Sequence, residues 1–441
     1  METICAISTP YGSGGIAVVR VSGGEAIEIV DRLFGGRKPL RETASGSVRF
    51  GRIVRGEEVL DDVLCSVFRA PHSFTGEDTV EISCHGSIYI QQTLLQWLID
   101  EGARMAAPGE FTRRAFANGK MDLAQAEAVA DLIAAQSKAE KELAMSQLRG
   151  SVSNELNTLR ERLLHLTSLL ELELDFADHE ELEFADRSEL RALAQEIETK
   201  LASLLSSFRT GNAIRNGIPV AIIGAPNVGK STLLNALVGE QRAIVSDIQG
   251  TTRDTIEDTI TIDGILFRFI DTAGIRESDD AIEQIGISRS KQAASRAQII
   301  LSVLERGVDE VKIAPGEGQT VLKVYNKADL LMPDERVNII DGLCISAKKG
   351  VIQSLKNALV RVARESMQPS AVMISNARHY EAISRAHEAI RRVEAGLDEG
   401  LSGELVSIDL QDCLAALGEV TGRVTNSEVL ANIFSKFCIG K

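Results

Sequence analysis

Eight residues in the middle of the chain have the types and the spacing of a phosphate-binding loop: Gly224-Ala225-Pro226-Asn227-Val228-Gly229-Lys230-Ser231. In such a loop the glycines let backbone N–H groups turn inward around the phosphates. The Lys230 ammonium then offsets charge on the outer phosphates, and the Ser231 hydroxyl binds Mg²⁺. An apolar run over residues 219–223 precedes the loop and a helical pattern over residues 231–237 follows it. Because this strand–loop–helix context is the one that the motif requires, the sequence predicts a nucleoside triphosphate site.

A second motif downstream selects the base: Asn326-Lys327-Ala328-Asp329 follows a strand-like run over residues 321–325. The Asp329 carboxylate only accepts hydrogen bonds, and guanine offers it two donors where adenine does not. A buried polar group without a partner costs about 1–3 kcal/mol, so we expect GTP to be preferred over ATP. The last backbone contact to the base is expected at Ser346-Ala347-Lys348.

Two further motifs lie between these and concern the metal and the terminal phosphate. Gly250-Thr251-Thr252-Arg253-Asp254 offers a hydroxyl, assigned to Thr252, that completes the Mg²⁺ shell when the triphosphate is bound. Asp271-Thr272-Ala273-Gly274 follows a strand-like run over residues 265–270 and places a carboxylate near the metal. With all the motifs in this order, the sequence predicts a GTPase.

The motifs alone do not identify the residue that positions the attacking water. Ras-like GTPases carry a glutamine directly after the Asp-x-x-Gly motif, but Ile275 stands here and an apolar side chain does not polarise water. Glu283 is the nearest good candidate, with an exposed helical glutamate as the alternative. Arg276 is either an arginine finger or a partner in a surface ion pair. Asn227 offers an amide oxygen that can hold a monovalent cation against the phosphates.

The elements that position these residues form more than one domain. At 441 residues the chain exceeds the roughly 250–300 residues at which single cores stop growing. The predicted fold class is multidomain, α/β plus all-α, with a P-loop G domain around a central sheet inserted into a helical domain. The predicted boundaries are 1–118 for a mixed α/β domain, 119–212 and 376–441 for the two parts of the helical domain, and 216–372 for the G domain.

Helical periodicity supports the all-α part. A stripe of leucines spaced three and four apart predicts a long packed helix, and its members are Leu156, Leu159, Leu163, Leu166 and Leu170. Asp186 with Glu189 three residues later forms a capping box that predicts the start of another long helix. The acidic stretch between the two helices, residues 171–183, is interpreted as solvated. Apolar strands alternating with helices after residue 216 predict a parallel sheet.

Composition limits the function classes. A net charge of −15 argues against a protein that binds nucleic acid over its whole surface, so any RNA contact is expected to be local. The start of the sequence lacks a signal-peptide pattern and no window approaches a membrane span, from which we expect a cytoplasmic protein with no membrane contact. Six cysteines without a CxxC pair indicate neither a zinc site nor a disulfide framework.

Three segments outside the GTPase motifs carry a resemblance to a known family. These are the ending Phe437-Cys438-Ile439-Gly440-Lys441, the run Ser73-Phe74-Thr75-Gly76-Glu77-Asp78, and the run Leu123-Ala124-Gln125-Ala126-Glu127-Ala128. Together with the GTPase motifs they resemble the MnmE (TrmE) family of tRNA modification GTPases, which act on the wobble uridine of certain tRNAs. The resemblance covers essentially the whole chain. One departure is Arg423 after Thr421-Gly422, where the family usually has an acidic residue.

The resemblance implies an N-terminal folate-binding domain that forms a constitutive homodimer, and G domains that dimerise across the nucleotide when K⁺ is bound. It implies a tetrahydrofolate derivative, in the 5-formyl or methylene form, as cofactor beside Mg²⁺, K⁺ and GTP. The implied partners are the tRNA and the flavoprotein MnmG (GidA), in a heterotetramer.

The residue roles follow the same resemblance. The implied folate contacts are Arg20, Glu81, Lys120 and Lys441, the implied K⁺ ligands are Asn227, Ser246, Ile248 and Thr251, and Glu283 is the implied water-positioning residue. The predicted GTP contacts are Asn227, Val228, Gly229, Lys230, Ser231, Thr232, Ser246, Asp247, Ile248, Gln249, Gly250, Thr251, Thr252, Asp271, Thr272, Ala273, Gly274, Asn326, Lys327, Ala328, Asp329, Ser346, Ala347 and Lys348. Cys438 either acts in the one-carbon chemistry or only shapes the folate pocket, and the sequence leaves both open.

Two rival hypotheses remain at this stage. A ribosome-assembly switch of the Era or Der type shares the motifs and an apolar residue at the Ile275 position, but that class carries a basic RNA-binding domain and neither flank here is basic. A folate-dependent enzyme with a regulatory G domain differs only in whether tRNA or a small molecule receives the carbon.

Overall fold

The computed structural model describes residues 2–176, 187–239, 258–270, 292–311, 314–316, 318–332, 341–366, 372–435, 437–438 and 440. The chain divides into two compact units. The first unit comprises Met1–Ala130, Leu148–Ser153 and Ala415–Lys441, and the second comprises Asp131–Gln147 and Asn154–Leu414. The domain boundaries predicted from the sequence stay predictions.

The strands are β1 Ile4–Ile7, β2 Gly14–Ser22, β3 Phe34–Gly36, β4 Ser47–Arg55, β5 Glu58–Phe68, β6 Thr79–Gly86, β7 Arg104–Met105, β8 Ile218–Ile223, β9 Asp258–Ile262, β10 Ile265–Phe269, β11 Ile299–Leu304, β12 Thr320–Tyr325 and β13 Leu343–Cys344. The helices are α1 Ala26–Leu33, α2 Ile88–Asp100, α3 Glu110–Ala117, α4 Leu123–Ala134, α5 Lys138–Leu148, α6 Ser151–Phe176, α7 Arg187–Asn216, α8 Lys230–Gly239, α9 Gln353–Ser366, α10 Ala377–Glu399, α11 Gly403–Thr421 and α12 Ser427–Ser435. None of these described helices has both the length and the apolar character needed to cross a membrane.

The first unit is built on a seven-stranded sheet in the order β3-β4-β5-β6-β2-β1-β7, in which only the β1–β7 pair is parallel. Side chains alternate between the two faces of each strand. On β2, Ala17, Val19 and Val21 are buried with residues of α1 and α2 in the main core. Arg20 therefore lies on the opposite face, and the register pairs it with Glu81 of β6.

Helix α3 is attached to the first unit by a buried ion network. The Glu110 carboxylate accepts hydrogen bonds from Arg104 of β7 at 2.7 and 3.0 Å and from Arg114, one turn along α3, at 3.1 Å. Arg114 also bonds the Glu77 carboxylate at 3.0 Å. Although burial raises the pKa of Glu110, the bonds from Arg104, the Ala107 N–H and Arg114 lower it to about 2. Glu110 is therefore a buried charge that its partners compensate.

Long helices form one part of the second unit. The leucine stripe predicted on α6 is confirmed, because each of its five members is at most 2% exposed. Helix α7 packs against α10, with Phe208 stacked on Tyr380 at 4.5 Å between ring centroids. Asn376 caps α10 by accepting from the Arg378 N–H at 3.0 Å, as an N-cap asparagine does. The capping-box residue Asp186 lies outside the described residues.

The other part of the second unit is a six-stranded sheet in the order β13-β12-β11-β8-β10-β9. The central pairs are parallel, as the sequence predicts, but β9 runs antiparallel to β10, so the sheet is mixed. Both residues of the connecting turn, Asp263 and Gly264, have positive φ angles. An Asp-Gly pair in this conformation favours a two-residue hairpin, which explains the antiparallel edge.

The α4–α5 region holds both segments by which the chain enters and leaves the six-stranded sheet. On the entering side, Arg215 donates to one Asp131 oxygen at 2.7 and 3.0 Å. On the leaving side, the Gln147 amide donates to the Met373 carbonyl at 3.0 Å and to the Ser375 hydroxyl at 3.1 Å. The inserted sheet is thus attached to the helices of its own unit by side-chain contacts as well as by the chain.

Candidate functional site

The phosphate-binding loop lies between β8 and α8, as predicted. Asn227 and Gly229 have φ angles of 62° and 95°, which turn successive N–H groups toward one side of the loop. The Lys230 ammonium donates to the carbonyls of Gly224 and Ala225, each at 2.9 Å. Burial lowers the pKa of Lys230, because removing an ammonium from water disfavours its charged form. A bound anion restores that charge, which suits the lysine to a phosphate.

Asn326 joins three of the predicted motifs. Its amide nitrogen donates to the Val228 carbonyl of the phosphate loop at 2.9 Å, and its amide oxygen accepts from the Ala347 N–H at 3.0 Å. A Cβ at Gly229 would overlap the Asn326 amide, so only glycine allows this approach. The side chain is 5% exposed. The structure thus brings together two segments about a hundred residues apart at a single buried amide.

The carboxylate expected to recognise guanine is fixed in place. The Ser346 hydroxyl donates to Asp329 at 2.6 Å, and the Lys349 ammonium lies 3.7 Å from the other carboxylate oxygen. The Ser346 hydrogen bond, followed by the charge of Lys349, lowers the pKa of Asp329. Asp329 therefore stays an acceptor at neutral pH, as recognition of two guanine donors requires.

Lys327 is positioned by a residue that the sequence analysis did not identify. Its backbone is left-handed, with a φ of 58°, and its ammonium lies 2.6 Å from the Glu305 carboxylate at the end of β11. Glu305 is 22 residues upstream, and the parallel pairing of Leu304 with Tyr325 brings the two together. The only signal in the sequence is an acidic residue at the end of an apolar strand, which is not specific.

Mg²⁺ fits the chemistry of the described part of this site. The Ser231 hydroxyl stands in the first turn of α8, directly after the loop, where a hydroxyl ligand to Mg²⁺ is expected. No group of three or more His, Cys, Asp or Glu suited to a metal occurs among the described residues. That is compatible with an ion held mainly by phosphate oxygens and water.

Several predicted site residues lie outside the described residues. They are Ser246, Asp247, Ile248, Gln249, Gly250, Thr251, Thr252, Asp271, Thr272, Ala273, Gly274, Glu283 and Lys441. Their assignments as contacts to GTP, Mg²⁺, K⁺, the attacking water and folate stay predictions. Val228 is buried, Ser231 is half-buried and Thr232 is exposed.

Comparison with known proteins decides the family. The model described as MnmE helical domain matches residues 123–438, and the model described as GTP-binding protein TrmE N-terminus matches residues 3–120. A tRNA modification GTPase MnmE from Parabacteroides distasonis is 54% identical over 464 residues, covering all of both chains. One from Bacteroides fragilis is 51% identical and covers 100% of this chain and 99% of its own. The chain belongs to the MnmE family of tRNA modification GTPases.

The chain is accordingly a GTPase, and the rival assignment to a ribosome-assembly switch is wrong. The G domain of the T. maritima FeoB iron transporter is a similar solved structure, with a TM-score of 0.23 and 22% identity. It covers 33% of this chain and 98% of its own, a likeness too weak to bear on the family assignment.

The MnmE resemblance also implies folate contacts, and two of them are paired with each other in the first unit. Two nitrogens of the Arg20 guanidinium lie 2.8 and 2.9 Å from one Glu81 oxygen. The same guanidinium is 5.4 Å from the Phe74 ring and 5.6 Å from the Phe111 ring. Lys120 donates to the Pro71 carbonyl at 2.9 Å. Gly76 packs against the Lys120 side chain, which places that side chain beside the Ser73–Asp78 segment.

The C-terminal segment, whose ending contributed to the resemblance noted in the sequence, packs beside the same sheet. The Ser8 hydroxyl donates to the Gly440 carbonyl at 3.1 Å, and Gly440 has a φ of 95° where a Cβ would overlap the Ile7 carbonyl. The Cys438 carbonyl accepts from the Gly109 N–H at 3.4 Å, and the Cys438 residue is exposed. Ile7 pairs with Val19, the neighbour of Arg20. The chain end therefore lies beside the strand that carries Arg20.

Proposed function

We propose that this GTPase takes part in adding a carboxymethylaminomethyl group to C5 of the wobble uridine in tRNA. In this proposal it acts with the flavoprotein MnmG (GidA), as a heterotetramer, and with 5-formyl- or methylene-tetrahydrofolate as the one-carbon donor. The observation that carries the folate part is the Arg20–Glu81 pair beside Phe74 and Phe111. The tRNA part follows the family to which the chain belongs.

The chemistry of folate matches these groups. A folate carries a glutamate tail, whose carboxylate pairs with Arg or Lys, and a flat pterin with N–H donors that a carboxylate such as Glu81 accepts. Arg20 and Lys120 are the described cations for the tail, and Lys441 is the third proposed contact. The folate would supply the one-carbon unit. Cys438 is retained as either a reacting thiol or a wall of the pocket.

On the GTP side, Lys230 and the loop N–H groups bind the phosphates, Ser231 and Thr252 hold Mg²⁺, and Glu283 positions the water. K⁺ is proposed at Asn227, Ser246, Ile248 and Thr251, where it replaces the charge of an arginine finger. Asn227 is exposed in the phosphate loop, so its amide oxygen is accessible to a cation beside the phosphates. A cytoplasmic location is proposed because tRNA is the substrate.

An exposed apolar patch supports the proposed homodimer of the N-terminal domain. Phe50 of β4 is 70% exposed and pairs across the sheet with Leu64 of β5, which is 46% exposed. Val48 lies two residues before Phe50 on the same face, and Ile16 of β2 is 72% exposed. Exposed apolar side chains grouped on neighbouring strands, as Val48, Phe50 and Leu64 are, commonly mark an interaction surface. A second copy of this chain is the proposed occupant.

Substitution of Arg20 tests the folate assignment. Arg20→Gln removes the guanidinium, and we expect 5-formyl-tetrahydrofolate to bind about 10- to 100-fold more weakly, since a charge-assisted hydrogen bond contributes about 1.5–3 kcal/mol. Isothermal titration of the full chain measures this, and GTP turnover serves as the check on folding. Arg52→Gln is the matched control, because Arg52 of β4 lies three strands from β2 and forms an exposed pair with Asp62 of the neighbouring β5. Equal folate affinity in the wild type and Arg20→Gln would remove Arg20 from the site.

A further inference from the structure

One short segment of the chain has a charge opposite to that of the whole. Residues 32–56 contain seven Lys or Arg and a single acid, Glu42, which gives this segment a net charge of +6. The rest of the chain therefore carries −21, because the total is −15. The segment includes β3 and β4, which form one edge of the seven-stranded sheet. The positive charge is thus concentrated at one place in the first unit.

Three of these seven cations are compensated by acidic partners. Arg32 lies 3.4 Å from Glu101, Arg52 lies 3.1 Å from Asp62 and Arg55 lies 2.7 Å from Asp100. Such exposed pairs contribute little to stability, but each one cancels a charge locally. These three arginines therefore add little to the field at the sheet edge.

The remaining cations, joined by Arg69 at the end of β5, have almost no acidic compensation. Arg41 has one acidic neighbour, Asp31, but the distance between the guanidinium and the carboxylate is a long 3.9 Å and the Arg41 side chain is 71% exposed. Among the described residues, no carboxylate lies within 4 Å of the others, which are Arg37, Lys38, Arg49 and Arg69. We call these five residues the β3–β4 basic cluster.

Neutral acceptors fix the guanidiniums of two members of the cluster, Arg49 and Arg69, around one short segment. Arg69 donates to the Arg41 carbonyl at 2.6 Å and to the Thr43 carbonyl at 3.2 Å. Arg49 donates to the Thr43 hydroxyl at 3.1 Å, and Thr43 is 1% exposed. The guanidiniums are therefore oriented without losing their net charge. Arg37 and Lys38 extend the cluster on the exposed loop that leads into this segment.

The cluster is separate from the other features of this unit. Arg49 lies on the face of β4 opposite to the exposed Phe50, since neighbouring residues of a strand alternate. Two strands, β5 and β6, stand between β4 and the β2 strand that carries Arg20. At about 4.8 Å per strand, that separation is roughly 14 Å. Neither the proposed folate site nor the exposed apolar patch accounts for the β3–β4 basic cluster.

We propose that the β3–β4 basic cluster binds the phosphate backbone of the tRNA. A group of cations in which only Arg41 has an acidic partner, Asp31 at 3.9 Å, binds a polyanion by displacing its counterions. This contribution to the binding free energy is independent of base sequence. Guanidiniums suit phosphate oxygens because each offers two parallel N–H donors. The acidic remainder of the chain repels RNA, so the contact is confined to this edge. This inference rests on tRNA as the substrate of the proposed function.

The test compares two triple variants of the full chain that remove the same charge. Arg37→Gln/Lys38→Gln/Arg41→Gln takes three cations from the cluster, and Arg32→Gln/Arg52→Gln/Arg55→Gln takes three compensated ones from the same segment. Fluorescence anisotropy with an unmodified tRNA transcript is measured across a salt series. We expect the cluster variant to bind at least about tenfold more weakly and its log–log salt slope to be smaller by about 2 to 3. The control is expected to stay within about twofold with a nearly unchanged slope.

Three outcomes would overturn the inference: no salt-dependent tRNA binding by the wild type, unchanged binding by the cluster variant, or equal losses in both variants. Normal tRNA binding combined with weaker binding of the flavoprotein would assign the cluster to a protein surface instead. Unchanged GTP turnover in both variants shows that they fold. Modification of wobble uridines in cells is measured separately, so failure of the proposed function is distinguishable from failure of this inference.

Discussion

At the scale of single residues, Asn326 connects the phosphate loop to the segment around Ala347 in the described part of the nucleotide site. Its amide uses a donor for the Val228 carbonyl and an acceptor for the Ala347 N–H. Both partners belong to segments that contact GTP in the predicted site. Because the amide is buried, water does not replace these bonds when the side chain is removed.

Asn326→Ala is therefore expected to weaken GTP and GDP binding about 10- to 100-fold, because leaving buried groups unsatisfied costs about 1–3 kcal/mol. Titration with a fluorescent GDP analogue measures the change. Asn235→Ala is the matched control, since Asn235 is an exposed residue of α8. GDP affinity within twofold of the wild type for Asn326→Ala would show that the amide does not organise the site.

The sequence identifies Asn326 and Asp329, because a fixed motif carries them. It does not identify Glu305, whose contact with Lys327 depends on the register between β11 and β12. Nor does it show that Arg20 and Glu81 are paired, which follows from β2 and β6 being neighbours in the sheet. Motif spacing describes local backbone geometry, whereas these pairs depend on tertiary register.

At the scale of elements, the attachment of α3 depends on one buried carboxylate. Glu110 receives hydrogen bonds from Arg104 of β7 and from Arg114 within α3. Its pKa is lowered from 4.5 to about 2. A lowered folded-state pKa gives stability that is present above the unfolded value of about 4.5 and is lost as the pH falls toward 2.

Glu110→Gln is expected to destabilise α3 by about 3 kcal/mol at pH 7, because it removes the buried negative charge that Arg104 and Arg114 share and leaves Arg114 with Glu77 alone. Hydrogen exchange of the α3 amides in the full chain is then faster by roughly 100-fold. The difference from the wild type is expected to shrink near pH 3. Glu57→Gln, an exposed turn residue, is the control. Equal α3 exchange rates at pH 7 would contradict the account of the network.

The apolar periodicity of the sequence predicted the long helix and the parallel strands. It did not predict the antiparallel strand β9 at the edge of the six-stranded sheet. The leucine stripe places α6 correctly, because burial of one face repeats every three to four residues. The parallel order of β8, β11 and β12 also follows from strands alternating with helices. The antiparallel β9 depends on the two-residue turn at Asp263-Gly264, a signal that the apolar pattern alone does not contain.

At the scale of the whole molecule, hydrolysis is proposed to depend on K⁺ and on two G domains. We expect GTP turnover to be on the order of tenfold or more faster in K⁺ than in Na⁺. The reason is that the charge of an arginine finger raises kcat by about 10³–10⁵-fold in related GTPases. Steady-state phosphate release in matched KCl and NaCl measures this, with Asn227→Ala expected to lose the K⁺ stimulation. Equal rates of the wild type in both salts would remove K⁺ from the mechanism.

Family membership and the fold class were within reach of the sequence, because the motifs at both ends and in the middle agree. The +6 charge of residues 32–56 can also be counted in the sequence, but the contact of Arg69 with the segment around Thr43 depends on the fold. The overall charge of −15 conceals that cluster. Averages over a chain do not report where cations converge.

The measurement that tests the central claim most directly is nucleoside analysis of tRNA from cells that lack this chain. The account predicts that the carboxymethylaminomethyl group is missing from C5 of the wobble uridine. It also predicts that wild-type protein restores the group and that Asn326→Ala restores it poorly. Wobble uridines that stay fully modified in the absence of the chain would contradict the proposed function.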